Sequence, residues 1–356
     1  MKFETLKKLV FEKNIFGFLR LLKPMNQLYQ SAFACAANSC GLLSFLRDKP
    51  ASFGEIEAFL RVPNERLDAL RAWLAIGVKV GELKQKNDTY SLRGSLSKHL
   101  AKQDHSIAGA LFEEVVRYHF NAIINTQHLI QTGQRYSLAD QNGDLIARSS
   151  RILEPFVEEA IDLALTLDRP SDRVLEVGCG SGYYLSYLSR RNSNLKIHAI
   201  DYQAQVALSA KQYCVAMGLG HKVTVEHCDV FNFEPSGRFG LVTLHNNIYY
   251  FPKEQRPALL RQVLQFLEPG GLVLLTTSCR GGSPAVEALN LWWALSDVNG
   301  ALPEKEEVIH LFKQVGFEVN EVKQLMPGES YYAFLAKKPK SDVLEKEHIV
   351  CDSLVS

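Results

Sequence analysis

Apolar positions along this 356-residue chain follow two rhythms, and the change falls near residue 170. Before it, they recur every three or four residues, the spacing of one helix face. After it, short β-branched runs alternate with helical stretches. The first rhythm predicts an amphipathic arm over 1–28 and a helix over 29–47, ended by Asp48-Lys49-Pro50. It predicts a further helix over 54–60 with Ser52 as its cap, and another over 64–77, capped by Asn64 and stopped by Gly77. VGELKQKNDTYSL (80–92) reads as two short strands around a Lys-Asn-Asp turn. Three helices followed by a hairpin is the element order of a winged helix. Residues 95–165 are helical again, broken by the polar, turn-rich stretch TGQRYSLADQNGD at 132–144.

LDRPSDR (167–173) is the seam. Beyond it the predicted strands are RVLEVG (173–178), KIHAID (196–201), KVTVEHCD (222–229), LVTLHN (241–246) and GLVLLTTS (271–278). Helices are expected at about 183–191, 203–217, 253–267, 283–297 and 304–315. Strict alternation of this kind predicts a parallel sheet covered on both faces, the doubly wound α/β class. FEVNEVKQLMP (317–327) and SYYAFLAKK (330–338) form a hairpin around a Pro-Gly turn, which brings one antiparallel strand into that sheet. The expected organisation is an arm (1–28), a winged-helix-like domain (29–110), a helical linker (111–170), the α/β domain (171–338) and a tail (339–356).

Composition narrows the functions. A net charge of +1 offers no global attraction to nucleic acid. The helix at 64–77 carries Glu65, Asp68 and Trp73 beside Arg66 and Arg71, a mixed face without the basic surface that phosphate contacts need. The arm is basic (Lys2, Lys7, Lys8, Lys13, Arg20, Lys23), with apolar residues at helical spacing, which suits a partner subunit or a membrane surface. No signal peptide is visible, and no window approaches roughly 18 uncharged apolar residues, so no membrane span is expected. Seven cysteines at 35, 40, 179, 214, 228, 279 and 351 form no Cys-x-x-Cys pair. An odd, scattered set implies reduced thiols in the cytoplasm, and no metal site is expected.

The candidate chemistry begins at VLEVGCGSG (174–182), where Gly178, Gly180 and Gly182 follow the first strand of the sheet. Ligands of open α/β sheets sit beyond the carboxyl ends of the strands. A dinucleotide loop needs Gly-x-Gly-x-x-Gly, but Tyr183 stands where its third glycine belongs, and no phosphate loop ending in Gly-Lys-Ser/Thr is present. Glu176 would repel a pyrophosphate and suits an ammonium group. Asp201, 19 residues past Gly182, can accept hydrogen bonds from two ribose hydroxyls. Asp229 can accept from an adenine amino group, with Val230 and Phe231 offering the ring an apolar face. An amino acid, a ribose and an adenine together describe S-adenosylmethionine.

Residues 171–338 thereby resemble the class I S-adenosylmethionine (SAM)-dependent methyltransferases. The resemblance is carried by VLEVGCGSG, AIDYQ (199–203), HCDVF (227–231), LHNNIYYFP (244–252), LEPGG (267–271) and the terminal hairpin. The first 170 residues are similar, more loosely, to the winged-helix dimerisation region of small-molecule O-methyltransferases, through DALRAWLAIG and YSL; AIGVKV replaces the family's Leu-Gly-Leu-Leu. The resemblance implies a Rossmann-like sheet, a homodimer and a small-molecule methyl acceptor. It implies a cofactor set of Glu176, Gly178, Gly180, Gly182, Asp201, Tyr202, Asp229, Val230, Phe231, His245 and Asn246.

In the resembled enzymes a His followed by Asp-Trp acts as general base. His245 occupies that position, and an ordinary histidine pKa of ~6.5 suits the task. Two departures stand out: Asn246-Asn247 replace Asp-Trp, and Thr276, Thr277 and Ser278 stand where the family places a Glu to orient its His. An acceptor pocket is expected to draw on Tyr118, His119, Tyr249, Tyr250, Trp292 and Trp293. O-methylation of a specialised metabolite leads. N- or C-methylation, the latter aided by cation–π stabilisation, and a SAM-responsive DNA regulator are the alternatives.

Overall fold

The computed structural model describes residues 3–13, 15–102 and 106–340. The chain divides into two compact units, one reaching Tyr118 and reclaiming residues 143–150, the other taking 119–142 and everything from Arg151.

In the first unit a helix spans Phe3–Phe11 and a second, 25 residues long, spans Ile15–Ser39. The second runs unbroken through position 28, with Pro24 inside it, so the expected 1–28 arm ends in mid-helix. The expected 29–47 helix is two pieces: after Gly41, in the left-handed region at φ +79°, a short turn resumes at Leu42–Phe45. Ser52 caps Phe53–Leu60 as expected, in a reciprocal box with Glu55. Asn64 is not a cap; it opens a 3₁₀ turn behind Pro63, and the helix proper is Leu67–Lys79.

Gly77 does not stop that helix. It lies buried inside it because the Phe33 ring occupies the space a Cβ would need. Gly77→Ala should therefore reverse the usual gain of helix propensity and cost about 1–3 kcal/mol through overpacking, read as a lower Tm. Strands β1 (Ala51–Ser52), β2 (Leu83–Lys86) and β3 (Thr89–Leu92) pair in the order β1-β3-β2, with Asn87 at φ +54° in the turn. Phe33, Leu42, Leu43, Ile56, Leu74 and Leu83 form their core.

The second unit holds a seven-stranded sheet of β4 (Arg173–Val177), β5 (Lys196–Asp201), β6 (Val223–His227), β7 (Phe239–His245), β8 (Leu267–Ser278), β9 (Glu318–Gln324) and β10 (Tyr331–Lys337). The order is β6-β5-β4-β7-β8-β10-β9. β4 to β8 run parallel, and β10 is antiparallel to both β8 and β9. The Pro327-Gly328 turn makes this possible, Gly328 sitting at φ +78°. Helices Tyr183–Arg191 and Ala204–Ala216, with Glu154–Thr166 from the expected linker, cover one face; Arg256–Phe266 and Lys305–Gln314 cover the other. The linker thus does not stay together: Gly143–Ser149 packs on Ser106–Glu114 in the first unit.

Chain order reverses at β4, with β5 on one side and β7 on the other. That is the switch point where a crevice opens in such sheets. No helix among the described residues is long and apolar enough to cross a membrane. Of the expected tail, residues 341–356 lie outside the described residues.

Candidate active site

Each glycine of the loop after β4 has a positive φ: +73° at Gly178, +53° at Gly180 and +79° at Gly182. Their surroundings separate their tasks. A Cβ on Gly178 would meet Asn247 Nδ2 at 2.9 Å, and one on Gly182 would meet the Ala210 backbone at 3.3 Å, where helices Tyr183–Arg191 and Ala204–Ala216 approach. A Cβ on Gly180 would meet nothing within 4 Å, so this glycine faces open space. Gly182→Ala should cost about 2 kcal/mol, combining left-handed strain with the Ala210 contact. Gly180→Ala should cost about 1 kcal/mol from strain alone; thermal unfolding of the pair checks the order.

Asp201, ending β5, ties the loop down. Its Oδ2 accepts from Gly180 N–H at 3.1 Å and its Oδ1 from Gln203 N–H at 3.0 Å. Each oxygen keeps a lone pair for a further donor. Burial raises the Asp201 pKa, opposed by those two backbone bonds and by His227. His227 Nε2 lies 3.0 Å from the carbonyl oxygen of Tyr202, whose side chain is exposed. Asp229, past the end of β6, accepts from Phe231 N–H at 2.9 Å. Val230 is buried, and Phe231 is exposed, edge-on to Phe251 at 6.0 Å.

Glu176 is 1 % exposed on β4, within 3.4 Å of the Thr243 hydroxyl on β7. Among the described residues no cation acts on it, and burial pushes its pKa up to about 8. A buried carboxyl with a single weak hydrogen bond is what an incoming ammonium group would satisfy. Cys179, between the glycines, is buried and its thiol pKa is raised by that burial, so it packs and does not react.

His245, 7 % exposed at the end of β7, departs from expectation. Its Nδ1 lies 2.9 Å from Thr276 Oγ1 on β8, the residue opposite it in register. Its Nε2 is buried with no hydrogen-bond partner among the described residues. Burial alone drives its pKa down to about 3, far from the ~6.5 that would suit a general base. Asn246 turns the chain at φ +53° and donates its N–H to Thr276 O at 2.8 Å. Asn247 donates from Nδ2 to Val177 O at 2.5 Å, stitching the β7 loop to β4.

Sequence reasoning missed Tyr184, whose ring meets His245 edge-on at 5.0 Å, and Tyr331, whose hydroxyl is 3.4 Å from Thr276 Oγ1. The two-residue period of the strands placed 243 and 245 on one face. The pairing of β7 with β8, and of β8 with β10, carries no local signal.

Tyr249, Tyr250, Trp292 and Trp293 do come together. Trp293 lies 5.1 Å from Tyr249 and 4.5 Å from Tyr250, and Trp292 lies 5.1 Å from Trp293. Both tryptophans are buried, so they support the two tyrosines from behind. Tyr136, from the turn-rich stretch, stacks on Trp292 at 5.8 Å. Tyr118 and His119 lie in a π-helical stretch, Val115–His119, across which the two units divide; Tyr118 belongs to the first and buried His119 to the second.

Strand order and the glycine loop after β4 define a doubly wound α/β domain. Residues 149–322 match the family described as methyltransferase domain. The chain is 24 % identical over 184 residues to phosphoethanolamine N-methyltransferase 3 of Arabidopsis thaliana, covering 52 % of this chain and 36 % of that protein. It is 29 % identical over 143 residues to carboxy-S-adenosyl-L-methionine synthase of Stutzerimonas stutzeri, covering 38 % of this chain and 58 % of that protein. The alignments thus span well under two thirds of these relatives. Among solved structures, the mitomycin 7-O-methyltransferase MmcR superposes with a TM-score of 0.70 over 94 % of this chain and 99 % of its own, at 16 % identity, a likeness of fold. Residues 149–322 are a class I SAM-dependent methyltransferase domain, and SAM is the cofactor of that class.

Proposed function

We propose that the whole chain is a SAM-dependent methyltransferase that methylates an oxygen atom of a small-molecule acceptor, a specialised metabolite, as a homodimer. The observation that carries this reading is the placement of three carboxyl groups toward the carboxyl ends of three adjacent strands, buried Glu176 in β4, Asp201 ending β5 and Asp229 past β6, with Asp201 binding Gly180, which faces open space. When bound, SAM supplies a methyl group already activated by a positive sulfur. Glu176 receives its ammonium group, Asp201 its ribose hydroxyls, and Asp229 its adenine amino group, with Val230 and Phe231 against the ring. His245, ending the strand beyond β4, is the side chain offered to the acceptor oxygen, and Tyr249 and Tyr250 give the acceptor an apolar wall. Alignment and exclusion of water then supply the rate.

The fold likeness to mitomycin 7-O-methyltransferase over nearly the full chain accords with an oxygen acceptor. Helix Ile15–Ser39 exposes Phe16, Phe18, Leu19, Leu21, Leu22, Leu28 and Tyr29, a surface suited to a second copy. The test is mass spectrometry of the protein incubated with SAM and a small-molecule extract of the producing cell. A methyl ether or ester should form together with S-adenosylhomocysteine. Methylation confined to nitrogen or carbon would overturn the oxygen assignment.

A further inference from the structure

We propose that His245 is a fixed, neutral hydrogen-bond donor to an acceptor that arrives already as an oxyanion (a carboxylate, or the anion of an acidic phenol or enol), with Thr276 and Tyr331 as its positioning residues. The inference rests on the methyltransferase reading and deepens it.

A histidine that takes up a proton needs something to stabilise the imidazolium, as the carboxylate does in a Ser-His-Asp triad. Among the described residues, the hydrogen-bond partner of the His245 ring is the Thr276 hydroxyl, which is neutral. Thr276 is fully buried, and the Tyr184 ring packs against the imidazole. Among the described residues no carboxylate acts on the ring: Glu176, buried on β4, is engaged with Thr243. An imidazolium buried here would have no compensating charge.

The surrounding donors form a chain. Tyr331 is 2 % exposed; its hydroxyl donates to Thr276 Oγ1 at 3.4 Å, and its oxygen remains open to the Asn246 side chain. Thr276, having accepted, is placed to donate its own proton to His245 Nδ1, 2.9 Å away. The ring proton then sits on Nε2, the buried nitrogen that lacks a partner. Each hydroxyl donates once, and the free end of the chain presents an N–H, which suits a negative oxygen and cannot deprotonate a neutral hydroxyl.

The transfer balances without a base. A lone pair of the acceptor oxyanion forms the new O–CH₃ bond as the S–CH₃ bond breaks and its electrons return to sulfur. The negative and positive charges cancel, and no proton is released. His245 holds the oxyanion in line and keeps its own proton throughout.

The proton state is readable without turnover. Full-length protein carrying ¹⁵N-labelled histidine imidazoles, with His245→Gln to assign the signal, should show His245 neutral from about pH 5.5 to 8.5 with its proton on Nε2. Thr276→Ser should keep that tautomer. Thr276→Val, which can neither donate to nor accept from Nδ1, should lower the share of the Nε2–H tautomer. A His245 midpoint above about 6, or a proton on Nδ1 in the parent, overturns the proposal; the parent spectrum decides even where a variant fails to fold. Calorimetry with SAM on the same sample separates the two readings. Absence of SAM binding removes the methyltransferase reading and leaves the histidine result standing.

Discussion

Asp201→Ala should weaken SAM binding by about 100-fold, with the fold intact. Two losses combine. The carboxylate holds the glycine loop through Gly180 N–H and Gln203 N–H, and it is assigned the ribose hydroxyls. Charge-assisted hydrogen bonds of this kind are each worth roughly 1.5–3 kcal/mol, and about 2.7 kcal/mol of net loss is a factor of 100. Asp201→Asn separates the contributions, because its single carbonyl oxygen can keep only part of the loop bonding. Titration calorimetry checks both. An Asp201→Ala variant that binds SAM as tightly as the parent contradicts the ribose assignment.

SAM binding at pH 7 should expel about one proton from Glu176. With its pKa at about 8 in the free protein, the carboxyl is mostly protonated at neutral pH, and an ammonium group beside it favours the carboxylate. Calorimetry in buffers of different ionisation enthalpy reads this directly. The parent should release close to one proton, and Glu176→Gln should release none and bind about tenfold more weakly.

The same groups set the stability profile of the free protein. Glu176 has a raised pKa, so its contribution is complete below the unfolded value of ~4.3 and is lost as pH rises through about 8. His245 has a depressed pKa, so its contribution is complete above ~6.5 and is lost as pH falls toward about 3. Glu176→Gln should therefore remove part of the decline in stability between pH 5 and 8, a change visible in denaturant midpoints.

The α/β unit was legible because its signals are local. Alternating strands and helices, glycines at φ-sensitive positions and a Pro-Gly hairpin each announce themselves within a few residues. The helix predicted over 183–191 matches Tyr183–Arg191, and Asp201, read as a cofactor ligand, ends β5. In the first unit local signals misled. Gly77 reads as a stop, yet its reason is the ring of Phe33, 44 positions earlier. Asp48-Lys49-Pro50 reads as the end of a helix over 29–47, yet the long helix ends at Ser39, well before it.

The catalytic side was least legible. Sequence could place His245 at a strand end and note the missing family carboxylate. It could not show that register puts Thr276 opposite His245, that Tyr331 from an antiparallel strand reaches the same hydroxyl, or that Tyr184 covers the ring. Those contacts bury the ring of the expected base beside a neutral hydroxyl.

Calorimetric titration of the full-length protein with SAM decides whether Asp201 and Glu176 hold the cofactor. The account predicts one site per chain with a dissociation constant in the range of about 1 μM to 1 mM, usual for enzyme substrates, accompanied by proton release that depends on Glu176. An absence of binding up to about 1 mM SAM, or binding untouched by the loss of both Asp201 and Glu176, would contradict it.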